Sequence, residues 1–151
     1  MSSKSTYRTN PETLEFVLDS FSVLAYLKGE PAGQRIREVL SLASSGKYRA
    51  YFSLISLGEV IYIVERQHGL LRAQEVLALL EYEPIITMEA DRAAVLMAAH
   101  IKAKHTLSYA DCFVVAAAQV KSATVLTGDP EFQAVEELIQ VEWLENWKQE
   151  K

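Results

Sequence analysis

The sequence predicts an α/β sandwich built on a mostly parallel sheet. Three observations predict it. Short apolar runs alternate along the chain with longer stretches in which apolar residues recur at helical spacing. The runs are continuously apolar, as strands buried on both faces of a parallel sheet are. The chain has 151 residues, half of them hydrophobic, with no Gly/Ser- or Pro-rich linker and no internal repeat, which suits one domain with a sizeable core.

Phe16-Val-Leu-Asp19 reads as a short buried strand that ends in a carboxylate, and Ser20 to Lys28 as a helix. Lys28-Gly-Glu-Pro-Ala-Gly33 is a surface loop by composition. A second helix is predicted from about Ala32 to Ser45, with Ile36, Val39, Leu40 and Ala43 on one face. Tyr48 to Phe52 is a strand. Ser56 opens a third helix, in which Leu57, Val60, Ile61 and Val64 fall at i, i+3, i+4 and i+7, and Gly69 ends it. Ala73, Val76, Leu77 and Leu80 mark a fourth helix by the same rule. Pro84 to Met88 is a strand, Glu89 to about Lys104 a helix, and Ser108 to Lys121 a helix apolar on most sides and therefore central. Ala123 to Thr127 is a buried strand, Glu131 to Leu138 a short helix, and Ile139 to Trp143 a last strand. In parallel sheets ligands bind beyond the carboxyl ends of the strands. Asp19 and Asp129 both stand just past strand ends, on that same edge.

Composition narrows the function classes. No run of roughly 18 apolar residues is present to cross a bilayer. The start, MSSKSTYRTNPETLEF, is polar and lacks the apolar stretch of a signal peptide. A cytoplasmic protein is expected. The single cysteine, Cys112, rules out an internal disulfide and suits a reducing compartment. It lies in an apolar run and reads as a small buried hydrophobe rather than a nucleophile. The formal net charge of −5 weighs against nucleic-acid binding, since proteins that grip phosphate are usually basic. Acids that hold divalent cations weaken that objection, because each ion adds two positive charges.

Each of four acids has a structural reading. Asp19 suits a helix N-cap. Ser56-Leu-Gly-Glu59 fits a capping box, and Ser108-Tyr-Ala-Asp111 fits the same pattern with Asp in the Glu position. Gly128-Asp129-Pro130 is a turn sequence. Glu131 opens a helix, where it caps or adds a weaker carboxylate. Together the acids say more. All four stand at helix starts or strand ends beside segments that must be buried, and helix N-termini favour carboxylates. Carboxylates gathered in this way raise one another's pKa unless a cation relieves them. Magnesium and manganese prefer such oxygen ligands.

Phe16-Val-Leu-Asp19-Ser20, Ser56-Leu-Gly-Glu59-Val, Ser108-Tyr-Ala-Asp111-Cys-Phe and Leu126-Thr-Gly-Asp129-Pro-Glu-Phe, in this order, resemble the successive motifs of the PIN-domain family. They are closer still to its VapC-type toxin branch. The likeness runs from about Leu14 to Trp147. It implies a PIN-like three-layer sandwich over residues 14–147, its mostly parallel central sheet flanked by helices. A flexible N-terminal extension at 1–13 and a polar tail at 148–151 lie outside it. The resemblance also implies an endoribonuclease that hydrolyses RNA phosphodiester bonds with Mg2+ or Mn2+. Asp19, Glu59, Asp111 and Asp129 would ligate or orient one or two ions, Asp19 and Asp111 most directly. Ser20 and Thr127 would orient carboxylates from behind, or else cap and turn. A homodimer and a small antitoxin protein are the implied partners, with Ile61, Ile63, Val64 and Leu71 a compatible surface or simply core.

Lys102 and Lys104 precede Ser108. They either guide an RNA backbone toward Asp111 or form a solvated helix end that complements the helix dipole. His68, His100 and His105 have no zinc-ligand spacing, and no Walker loop or GxGxxG is present. Two other functions stay open on sequence: a catalytically silent PIN-fold module that binds RNA or protein, and a phosphatase-like domain on the same kind of sheet. The latter lacks a D-x-D loop after the first strand.

Overall fold

The computed structural model describes residues 13–144. The extension expected at 1–13 (Thr13 apart) and the tail expected at 148–151 lie outside the described residues. Five strands form one sheet in the order β3-β2-β1-β4-β5, and every neighbouring pair is parallel. The strands are β1 (Leu14–Leu18), β2 (Tyr48–Ser53), β3 (Ile85–Met88), β4 (Thr124–Thr127) and β5 (Gln140–Trp143). Six helices connect them: α1 (Ser20–Lys28), α2 (Gly33–Ser44), α3 (Leu54–His68), α4 (Leu70–Tyr82), α5 (Arg92–Lys104) and α6 (Tyr109–Lys121). A 3-10 helix, Pro130–Val135, follows β4.

The central strands are apolar on both faces because both faces are covered. Phe16, Leu18, Ala50, Phe52 and Leu126 point into a core filled by α1 to α4. Val17, Tyr51 and Val125, the alternate residues, point into a second core filled by α5 and α6. This alternation is the period-two geometry of a strand seen from both sides. Full burial of a side chain such as Leu18 or Leu126 is worth about 1.5–3 kcal/mol. Helix α6 is buried from Asp111 to Ala118. Its near-continuous apolar run is therefore the signature of a central helix.

The connections place the site. From β1 the chain passes through α1 and α2 to β2 on one side. The strand on the other side of β1 is β4, which leads to β5. Strand order thus reverses between β1 and β4, the kind of position where α/β sheets open a crevice at their carboxyl ends. Asp19 leaves β1 there, and Asp129 follows β4.

Several predicted boundaries move. Ser56 does not open α3: β2 runs directly into the helix, which starts at Leu54 with Ser53 as its N-cap, the Ser53 hydroxyl accepting from the Ile55 N–H at 3.1 Å. Ser56 and Glu59 therefore form no capping box. Gly33 belongs to α2 and is buried rather than part of a surface loop. A Cβ there would lie 2.6 Å from the Ala25 carbonyl oxygen and the Tyr26 Cα, so only glycine lets α2 start against the end of α1. Helix α5 begins at Arg92 because Asp91 caps it through the Ala94 N–H at 2.9 Å. The helix predicted from Glu131 to Leu138 is the shorter 3-10 helix, with Asp129 as cap.

Candidate active site

Asp19 sits at the N-cap of α1 and is 1 % exposed. Its Oδ1 accepts from the Ser22 N–H at 2.8 Å, and the Ser22 hydroxyl accepts from the Asp19 N–H at 3.1 Å, which closes a capping box. The other oxygen, Oδ2, accepts a short hydrogen bond from the Thr127 hydroxyl. That same hydroxyl accepts from the Asp129 N–H at 2.9 Å. One buried threonine at the end of β4 thus ties the first acidic segment to the last. The residue following Asp19, Ser20, has no hydrogen bond to any of the acids among the described residues. Ser22, two positions further on, makes the contacts instead, because an N-cap carboxylate reaches the third helical residue and not the first.

Asp111 lies in the first turn of α6, whose N-cap Ser108 accepts from the Asp111 N–H at 3.1 Å. The reciprocal half of the capping box is missing, and the carboxylate is turned into the molecule, buried. Asp129 caps the 3-10 helix by accepting from the Glu131 N–H at 2.9 Å. Carboxylate oxygens of Asp111, Asp129 and Glu131 lie within 4.8 Å of one another. Glu59, one turn into α3, is near enough to Asp111 for its charge to act there. Its Oε1 is buried with no hydrogen-bond partner among the described residues.

Burial first, and the neighbouring charges after it, raise the pKa of the two buried acids. Burial pushes the Asp19 carboxyl up to about 7, against the hydrogen bonds from Thr127 and Ser22, and the Asp129 charge adds to the rise. Burial likewise pushes Asp111 up to about 7, helped by the charges of Asp19, Asp129 and Glu59 and opposed by the Ser108 hydrogen bond. The cluster is short of positive charge. Its donors are all carboxylate oxygens, the ligands that hard divalent cations take, and one of them is buried and unpartnered. These residues fit a hard divalent cation.

The structure thus brings Asp19, Glu59, Asp111, Asp129 and Thr127 to one edge. Glu131 joins them as a carboxylate and not as a cap. Its signal in the sequence was the i+2 spacing from Asp129, which a predicted α-helix start concealed. Lys102 and Lys104 occupy the last turn of α5. The Lys102 ammonium donates to the Leu107 carbonyl at 2.6 Å and so fastens the loop that leads to Asp111, while Lys104 is exposed. Cys112, beside Asp111, is fully buried, and burial raises its thiol pKa, as expected of a packing residue.

The model of the PIN domain family matches residues 16–138. No curated protein matches the chain by sequence. Among solved structures, the chain is similar to VapBC2 from Rickettsia felis bound to a DNA fragment from its promoter (16% identity, TM-score 0.68, 87% of this chain and 100% of that one). It is also similar to DNA-bound VapBC from Salmonella typhimurium (23% identity, TM-score 0.65, 85% and 97%). A third similar structure is VapC20 from Mycobacterium tuberculosis, a sarcin-ricin-loop-cleaving toxin (19% identity, TM-score 0.63, 80% and 94%).

Proposed function

The chain belongs to the PIN domain family, and we propose that it is a divalent-metal-dependent endoribonuclease, the toxin of a toxin–antitoxin pair. The observation that carries this reading is the convergence of carboxylates from four separate segments at the switch point of the sheet. Asp19 comes from the end of β1, Glu59 from α3, Asp111 from α6, and Asp129 with Glu131 from the turn after β4. Asp19, Asp111, Asp129 and Glu59 would hold Mg2+ or Mn2+, with Glu131 a further oxygen donor. A bound ion supplies Lewis-acid stabilisation of the phosphodiester and of the charge that hydrolysis develops on it.

The chain's own residues prepare that site. Thr127 fixes Asp19 and the backbone of Asp129 with one hydroxyl, so two donors keep their relative position without a cation. Ser22 and its N–H lock the other side of Asp19. The half-exposed Asp129 and exposed Glu131 form the open rim, and the substrate would approach over them. A single-stranded or loop RNA suits this rim, with Lys104 among the basic side chains available to its phosphates. The product would keep a 5′-phosphate. Support for the partner comes from the similar structures, two of which are VapBC assemblies. By that analogy the chain binds a small antitoxin, and the motif resemblance adds a homodimer in the cytoplasm to the reading.

The direct test incubates purified, partner-free protein with a mixed small-RNA pool in Mg2+ or Mn2+, in chelator, and beside an identically prepared Asp111→Asn variant. Cleavage that needs both the ion and Asp111 is the expected result. Identical RNA profiles from the two preparations, together with no binding of Mn2+, would sink the reading.

A further inference from the structure

Helix α3 carries two buried polar atoms with no hydrogen-bond partner among the described residues: Ser56 Oγ and Glu59 Oε1. Ser56 is 0 % exposed. A hydroxyl has one donor and two acceptor sites, and leaving it unsatisfied in the interior costs about 1–3 kcal/mol. The helix start does not account for it, since Ser53, the residue before α3 begins at Leu54, performs the capping. Core packing does not account for it either. The next residues along the buried stripe of α3 are Val60 and Val64, and alanine at Ser56 would pack there without the polar penalty.

The geometry of an α-helix joins the two orphans. Residues three apart are neighbours on the surface of a helix, with Cβ atoms about 5–6 Å apart. Side chains lean toward the helix N-terminus, so the Glu59 side chain lies back over the turn that carries Ser56. That separation suits one water accepting from the hydroxyl and donating to the carboxylate, the usual way buried polar groups without a direct partner are satisfied. The Glu59 charge also acts on Asp111. The Glu59 carboxylate thus has a buried oxygen and lies within electrostatic reach of the cluster.

We propose that Ser56 is a positioning residue of the acidic site, whose hydroxyl holds the Glu59 carboxylate through one ordered water in the orientation that faces Asp111. The inference rests on the reading of the cluster as a divalent-ion site. It gives Glu59 a support comparable to the one Thr127 gives Asp19. Both acids then have a hydroxyl behind them, from β4 for Asp19 and from α3 itself for Glu59.

The test titrates Mn2+ into RNA-free, full-length protein by calorimetry for wild type, Ser56→Ala, Glu59→Gln and the double variant, with thermal melting of each in chelator. Losing a residue that orients a ligand lowers metal affinity about 10–100-fold, so a loss of roughly 10-fold is expected for S56A. The double variant should bind no more weakly than E59Q alone, because Ser56 acts only through Glu59. A merely structural serine would change the melting temperature and leave Mn2+ affinity at the wild-type value, and that result overturns the proposal. A further loss in the double variant beyond E59Q also overturns it. Wild type that binds no Mn2+ defeats the ion-site reading and this inference together, whereas binding weakened by E59Q but untouched by S56A defeats this inference alone. Should S56A not fold, Ser56→Cys keeps the volume with a much weaker hydrogen-bonding group, and the same loss is expected.

Discussion

Thr127 serves two acidic segments with one fully buried hydroxyl, donating to Asp19 and accepting from the Asp129 N–H. Thr127→Val keeps the shape and removes both bonds. It should cost about 1–3 kcal/mol in urea unfolding and weaken Mn2+ binding, because a buried carboxylate and a backbone N–H lose their partner. Thr127→Ser should recover most of both, and equal losses in the two variants would show that the methyl group matters more than the hydroxyl. Asp19 and Asp111 give a second prediction. Their carboxyls titrate near 7 in the folded protein against an ordinary 3.8. The folded state therefore holds protons that the unfolded chain has already released. This contribution to stability is complete below about pH 4 and is lost as pH rises through about 7. In chelator, melting temperature should fall across that window, and Mn2+ should restore it at pH 7.5. Asp111→Asn removes one of the crowded charges. Above pH 7 the metal-free variant should melt roughly 2–8 °C higher than wild type, on the order of 1–2 kcal/mol for a chain of this size. Parallel pH profiles for wild type and variant would mean that crowding at Asp111 is not what the profile records.

At the level of elements, the site is an assembly of helix starts on strand ends. Asp19 caps α1, Asp129 caps the 3-10 helix, and Ser108 caps the helix that carries Asp111. Such starts supply N–H donors and partial positive charge, so the local physics that forms each helix also tolerates an acid there. This is why the strands, the central helix α6 and the edge holding the acids were legible in the sequence. Apolar runs and cap residues are local signals. What was illegible depended on contacts between segments. Ser53 and Ser56 both suit an N-cap, and only the direct passage of β2 into α3 decides between them. Glu131 resembled a helix-capping residue, yet its carboxylate meets Asp111, twenty residues earlier in the chain. Ser20 was favoured by adjacency to Asp19, whereas helical geometry hands the hydrogen bonds to Ser22. Gly33 looked like loop punctuation, and its reason is the close approach of α1. Gly33→Ala should therefore destabilise, although alanine's helix preference alone would stabilise α2. The overlap is with backbone, which cannot swing aside, and a penalty of about 1–3 kcal/mol is expected from such overpacking. Chemical denaturation measures it, and a neutral or stabilising result would contradict the tight α1–α2 contact.

At the scale of the whole molecule, the acidic edge is one surface feature and the joint between α3 and α4 is another. The acids gather at the carboxyl edge of the sheet, while the joint between α3 and α4 leaves Leu70 58 % and Leu71 72 % exposed, with Tyr62 half exposed nearby. Ile61 and Ile63 are half-buried beside them, and Val64 is core. Of the apolar residues expected to receive a partner, Leu71 is thus the accessible one, and its neighbour Leu70 is exposed with it. Two consecutive leucines held this far into solvent mark a candidate interaction site. An antitoxin helix seated here would bury both leucines, and central apolar anchors dominate such interfaces. Leu70→Lys with Leu71→Lys should lower affinity for the antitoxin at least 10-fold, about 1.4 kcal/mol. Both side chains face solvent, so melting temperature and Mn2+ affinity should stay at the wild-type values. Titration against a candidate antitoxin reads the affinity, and sedimentation of the partner-free variant reads self-association. Unchanged antitoxin binding with a shift toward monomer would assign this face to contact between two copies of the chain, and unchanged values of both would remove the α3–α4 joint from the interfaces altogether.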